Sequence, residues 1–353
     1  MNIKLLTLGL AMSFLNSQAQ NIPLYIGTYT EGTSEGIYKL EFNPSTGELS
    51  NLQLAEAIQN PSFITYSPNK RYLYAVSESL GGSVSSFKIQ ENGQLQFLNK
   101  VDSNGKGPCH ISLNRQGNKA VVSNYGGGSA SIYSIARDGK LNEASQIFDY
   151  NTMDRKSHAH SAQFFRDELF VADLGMNALY QYKLKNDNYE LALPEIVKME
   201  GNPGPRHFAM TKTGQFIYII NEYGSSVTSV KKTDTGFEQI DYDSTLDESY
   251  EGKNSCADIH LSKNELYLYG SNRGENSIVV YKRNKLDGTI EKIQTMSVHG
   301  DWPRNFTLDP TGKFLLVANQ RSHNITVFRI DAPTGKLTFL TEVKVPSPVC
   351  LLF

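Results

Sequence analysis

The chain has 353 residues, with 34 Lys plus Arg against 36 Asp plus Glu, for a formal net charge of -2 at pH 7. A balance this close, with no basic stripe or acidic tail, lacks the electrostatic footprint of a nucleic-acid partner. Three cysteines, an odd number without C-x-x-C or Cys/His metal spacing, argue against a disulfide framework and a structural zinc site.

Residues 1–19 have the layout of an export signal. Lys4 supplies the charge, Leu5 to Leu15 the apolar run, and Ser17-Gln18-Ala19 a small-x-small cleavage site before Gln20. The run is well short of the ~20 residues that span a bilayer, and no Cys follows it to carry a lipid. Residues 20–353 are therefore expected to be one domain, periplasmic or secreted, with no membrane contact after signal removal.

Leu24-Tyr25-Ile26-Gly27-Thr28-Tyr29 reads as a strand without a preceding partner. The first clear copy of a repeat then follows: Pro61 to Pro68, Tyr72 to Glu78, Ser83 to Ile89 and Leu95 to Val101, four strands joined by Ser-Pro, Gly-Ser and Asn-Gly turns. Further copies open at Pro108, near Ala159, at Arg206, near Asp258, at Arg304 and at Pro348, about 44 to 52 residues apart, as four-stranded propeller blades require. Strands such as Phe314 to Asn319 and Asn324 to Ile330 are rich in β-branched and aromatic residues and alternate with period 2. The expected fold is all-β, a seven-bladed β-propeller of four-stranded antiparallel blades. The chain ends after one strand, Val349 to Phe353, which complements the orphan at Leu24. One blade should join this C-terminal inner strand to three strands within residues 22–58 and so hide both free edges. Cys109, Cys256 and Cys350 each fall near an inner-strand start and read as small buried side chains.

Consecutive strands are antiparallel, so the start of each inner strand lies beside the end of the second strand, at one mouth of the central channel. Strand starts bring Cys109-His110, His158-Ala159-His160, Arg206-His207, Asp258-Ile259-His260 and Trp302-Pro303-Arg304-Asn305 there; strand ends bring Glu78, Asn124-Tyr125, Asp173, Asn221-Glu222, Asn272-Arg273 and Asn319-Gln320. Five of the seven histidines and the single tryptophan are thus expected on one rim. The four asparagines occupy equivalent positions and read as structural ties between neighbouring blades; Asp173 reads equally as such a tie or as part of the site. A strand-end Arg facing a narrow channel is costly unless paired, and its fork suits a carboxylate or phosphate, so Arg206, Arg273 and Arg304 read as ligand-binding. His158 and His160, in H-x-H spacing, share a strand face, yet no third partner is specified and no metal is expected. Glu222 should reach Arg206 one strand away, as a structural salt bridge or a catalytic carboxylate. Asp258 with His260 reads as an acid/base pair or as a rim support.

The strings Ser157-His158-Ala159-His160, Ala172-Asp173-Leu174-Gly175, Gly204-Pro205-Arg206-His207, Asn221-Glu222, Ser271-Asn272-Arg273 and Trp302-Pro303-Arg304-Asn305-Phe306 together resemble the seven-bladed lactonase family, over essentially the whole chain after residue 19. That family includes 6-phosphogluconolactonases of propeller type and carboxymuconate cyclases. The resemblance implies lactone-ring chemistry without metal or organic cofactor. It places the catalytic His, two Arg and Glu at His158 (or His160), Arg206, Arg273 and Glu222. His160, His207, Asp258, His260, Trp302, Arg304 and Gln320 would then bind the substrate, a small-molecule lactone, on a monomer. The Ala257-Asp258 pair departs from the acidic residue beside a His expected in many relatives.

Lactone hydrolysis needs a base for water, donors for the oxyanion and an acid for the ring oxygen. A Glu between arginines has a lowered pKa and is a poorer base than a neutral His, which favours His158 as base with Glu222 orienting it. The other readings are an intramolecular cyclase using the same arginines on a dicarboxylate, and a non-catalytic exported propeller that binds carbohydrate or protein.

Overall fold

A strand whose two faces are both apolar must be covered on both sides, and the second strands of this chain are of that kind. Phe216–Asn221 and Phe314–Asn319 are buried at every position. The computed structural model describes residues 20–353, so the expected export signal at 1–19 lies outside the described residues. Within them the expected architecture is present: seven four-stranded antiparallel sheets, each flanked by two others around a central channel. Blade 1 is the closing blade, with Pro348–Leu352 innermost, followed by Ile22–Thr28, Gly36–Phe42 and Leu49–Ala57. Blades 2 to 7 use strands in chain order over 64–102, 108–149, 159–193, 205–244, 255–297 and 303–344.

The core is correspondingly divided into wedges between blades. Leu24, Ile26, Leu40 and Phe42 of blade 1 pack on Phe314, Leu316, Ala318 and Val327 of blade 7. Outer strands such as Leu337–Lys344 alternate buried and exposed positions because only one of their faces meets a neighbour.

Two local features position the channel lining. In six of the seven blades the ladder between first and second strand gains one residue on the inner strand at its start, as where Pro205 pairs with Asn221 and His207 with Ile220, leaving Arg206 unpaired. Such a bulge re-aims the extra side chain. Accordingly Arg206 and His207, consecutive residues, line the same space, as do Arg304 and Asn305. The second feature is a close approach at Gly27, in the clasp between blades 1 and 2. A Cβ there would stand 2.4 Å from the Pro61 carbonyl oxygen and 3.2 Å from Cys350 Cβ.

Gly27→Ala should therefore destabilise the fold by about 1–3 kcal/mol, read as a lower urea midpoint with unchanged slope. A midpoint equal to that of the unmodified protein would show that the clasp is looser than these contacts.

Candidate active site

In five of the seven blades the residue that follows the second strand is fixed at the mouth by a recurring backbone hydrogen bond. Tyr29 N–H donates to Ser347 O, Glu78 to Asn60 O, Tyr125 to Gly107 O, Glu222 to Gly204 O and Gln320 to Trp302 O, at 2.7–3.2 Å. The accepting residues all precede a proline or serine at the inner-strand head and have left-handed backbone, with φ from 43° at Asn60 to 72° at Gly204. Below this ring lie the bulged residues Cys109, His160, Arg206, Arg304 and Val349, around a narrow chamber that Ser62 and Glu78 also line.

Glu222 is the electrostatic centre of the mouth. Its Oε2 lies 2.9 Å from Arg206 Nε and 2.9 Å from Arg273 Nη2. Both guanidiniums are almost wholly buried, at 2 % and 4 % side-chain exposure, against 17 % for the carboxylate. They are oriented by backbone carbonyls: Arg206 Nη1 donates to Ala257 O (2.6 Å), Arg273 Nη2 to Cys256 O (2.8 Å) and Arg273 Nε to Ser255 O (3.2 Å). Burial alone would raise the Glu222 pKa, but Arg273, Arg206 and Arg304 outweigh it and hold the carboxyl below its ordinary value. Arg304 lies over the Tyr29 ring at 5.3 Å, and Tyr29 Oη donates to Glu78 Oε2 (2.7 Å).

His158 stands at the same mouth, stacked on Tyr125 with centroids 4.5 Å apart. Its Nδ1 is 3.1 Å from the Tyr125 carbonyl oxygen. A carbonyl can only accept, so the proton is assigned to Nδ1 and Nε2 carries a free lone pair. The His158 backbone N–H donates to Asp173 Oδ1 (2.9 Å), and the Ser157 hydroxyl donates to Oδ2 of the same carboxylate. Asp173 thus positions His158 through its backbone. Glu222 does not orient His158 as expected, because its Oε2 is shared by two arginines; the Tyr125 carbonyl and Asp173 do so instead.

The five histidines do not share one rim, because an inner strand carries its residues down the channel at about 3.3 Å each. His158 is at the mouth and His160 in the bulged ring. His207 and His110 lie deeper, around the buried Asp258, which accepts from His207 Nδ1 (2.7 Å), His260 Nε2 (3.0 Å) and Asn305 Nδ2 (2.5 Å). His260 is lower still, 40 % exposed, and it opens into a separate cavity of about 410 Å³ at the far mouth, lined also by Lys212, Lys263 and Glu265. Of the residues expected to bind substrate, His207, Asp258 and His260 therefore form a support for the channel wall below the mouth. Arg304, Trp302, His160 and Gln320 do join the arginine cluster's end of the channel.

The asparagines are fully buried, but only two of them tie blades together: Asn124 and Asn272 donate to Ser103 O and Thr245 O, just past the outer strand of the preceding blade, whereas Asn221 and Asn319 donate only to Ser226, Thr228 and Thr326 of their own third strands. Cys109, Cys256 and Cys350 are buried free thiols, and burial pushes each up to about 12. Sequence reasoning did not single out Tyr29 and Arg321. Tyr29 follows Thr28 as Glu222 follows Asn221, so register alone could have found it.

A family profile described as Lactonase, 7-bladed beta-propeller, matches residues 23–353. A 6-phosphogluconolactonase of Formosa agariphila is 36 % identical over 90 % of this chain and 95 % of its own length. The 6-phosphogluconolactonase of Bacillus subtilis is 33 % identical over 93 % and 97 %. Among solved structures, the periplasmic gluconolactonase of Pseudomonas aeruginosa superposes with a TM-score of 0.85 at 27 % identity, over 94 % of this chain and 98 % of that one.

The channel histidines give the fold a pH signature. Burial, before any neighbouring charge, holds His110 and His160 well below 6.5 and lowers His207 to about 4. The unfolded chain would take up these protons first, so their contribution is complete above about pH 6.5 and is lost as pH falls toward the folded values. His260 has the opposite sign: burial opposes its charge, but Asp258 outweighs burial and raises it. The net expectation is a urea midpoint that falls from pH 7 to pH 5, with a shallower fall in His160→Gln. A midpoint independent of pH over that range would mean that these rings are not held neutral.

Proposed function

The chain belongs to the seven-bladed β-propeller lactonase family, and from that membership we propose that it hydrolyses a small sugar lactone to the open acid at the arginine-lined mouth. The observation that carries this reading is the carboxylate of Glu222 held between two buried arginines at the same mouth where His158 stacks on Tyr125 with its Nδ1 turned to a carbonyl. Such a mouth is pre-arranged for negative charge, and attack on a lactone carbonyl develops that charge on oxygen.

In the proposed reaction His158 Nε2 accepts a proton from water as the water adds to the ring carbonyl. Arg206 and Arg273 use N–H groups other than those that face Glu222 or donate to backbone carbonyls to stabilise the tetrahedral oxyanion. Glu222 fixes the two guanidiniums and limits their mutual repulsion. As the intermediate collapses, the ring C–O bond breaks, and the imidazolium of His158 returns the proton to the departing alkoxide. No covalent enzyme intermediate is invoked: burial raises the Cys109 thiol to about 12, far from a thiolate at neutral pH. The export layout of residues 1–19 supports a proposed site of action outside the cytoplasm, where the lactones available differ from those of central metabolism.

His158→Asn should reduce kcat for a lactone substrate by roughly 10²–10⁴-fold, with thermal unfolding unchanged. The assay follows acid release over the spontaneous rate for gluconolactone and its 6-phosphate. Wild-type turnover no faster than the spontaneous rate for every lactone tried would overturn the function; full activity in a folded His158→Asn protein would overturn only the assignment of the base.

A further inference from the structure

The mouth carries four arginines, Arg206, Arg273, Arg304 and Arg321, and two of them are committed to Glu222. Among the described residues, neither Arg304 nor Arg321 has a side-chain hydrogen bond or ion pair with the protein. Arg321 is the more informative of the two. It follows Gln320, so it stands one residue outside the ring that includes Glu222, and its backbone N–H donates to Asp301 O (3.1 Å). Its guanidinium carbon lies 3.4 Å from the centre of the Trp302 ring system, while Arg273 approaches the same ring system at 5.3 Å. The indole thus connects an inner guanidinium bound to Glu222 with an outer one whose N–H edge is free.

Trp302 is held firmly enough to act as a platform. Its backbone is left-handed, with φ of 67°; its N–H donates to Asn276 Oδ1 (2.9 Å) and its carbonyl accepts from Gln320 N–H (3.1 Å). Asp301, adjacent in sequence, is the obvious candidate to neutralise Arg321, yet its carboxylate accepts from Asn276 Nδ2 (2.9 Å). A stacked guanidinium keeps its donors in one plane, which is the geometry for two-point binding of a phosphate or carboxylate.

We propose that Arg321, stacked on Trp302, is an anion subsite that selects lactones carrying a phosphate or carboxylate at the end remote from the ring carbonyl. This rests on the proposed lactone hydrolysis at the same mouth. With the carbonyl at Arg206 and Arg273, the remote substituent reaches outward past Trp302, and an uncharged hydroxymethyl group there leaves Arg321 unused. Arg321 acts in specificity and takes no part in the chemical step.

Trp302 is the single tryptophan of the chain, so its fluorescence reports this subsite without any turnover. The wild-type and Arg321→Gln proteins would be titrated with 6-phosphogluconate, with glucarate, and with gluconate, whose sole carboxylate is the one formed by ring opening. Saturation of the emission change by either doubly functional acid at one tenth or less of the gluconate concentration, with that gap lost in Arg321→Gln, supports the subsite. The tighter of the two identifies phosphate or carboxylate as the group read. Equal affinities for all three acids, or a gap that survives Arg321→Gln, overturns it and leaves Arg321 as a cover for the indole. In turnover, the ratio of kcat/KM for the anionic lactone to that for gluconolactone should fall at least tenfold in Arg321→Gln, through KM. Absence of any turnover would count against the hydrolysis and leave the fluorescence result standing.

Discussion

The extra residue at the head of six inner strands turns two consecutive side chains toward the channel, where strict alternation would turn only one. Because the bulge recurs at the same place in the ladder, the extra residues form a ring, and the chemistry of that ring is set by six independent choices of side chain. Blades 5 and 7 place arginine there, blade 4 histidine, and blades 1 and 3 the small residues Val349 and Cys109, while Ser62 lines the chamber from blade 2, which has no bulge. The cluster is therefore lopsided. The small residues leave room beside Arg206 and Arg304, and the fold around them stays the same.

That arrangement has an energetic cost that is met elsewhere. A buried ion triplet loses more hydration than a surface pair, and its net contribution to stability is small or negative. The wedges of aliphatic and aromatic side chains between blades carry the fold instead, as in the contact of Ile217, Ile219 and Val230 with Phe170 and Leu179. The mouth can then hold Arg206, Arg273 and Glu222 in a geometry that costs the resting protein hydration and that the proposed hydrolysis would use. Removing one member leaves a buried charge uncompensated, which separates these residues from the exposed lysines on the outer strands.

Much of this was legible in the sequence. The repeat period, the seven openings and the complementary ends specified the propeller and its closure, because each blade repeats the same turn chemistry at the same spacing. The pairing of Glu222 with Arg206 followed from antiparallel register alone. Depth in the channel was not legible. Asp258 and His260 are two residues apart, and only the observed bulge shows that the first is a buried anchor and the second faces the far mouth. The orientation of His158 was also hidden, since it depends on a backbone carbonyl of Tyr125, 33 residues away, and on the backbone N–H accepted by Asp173. Side-chain types advertise side-chain partners; main-chain partners leave no such trace.

The pairing of Ile26 with Leu351 in the closing blade has a consequence for how the molecule comes into being. The strand Ile22–Thr28 must wait, without its inner neighbour, until residues 348–352 are synthesised. Closing so long a loop costs entropy that no local contact repays in advance, which slows folding. A nascent chain still lacking residues 348–353 already contains His158, Arg206, Glu222 and Arg273, yet it cannot hold them around a closed channel. Closure of the channel thus waits on residues 348–352, and a chain interrupted before them would leave the arginine cluster without a closed wall around it.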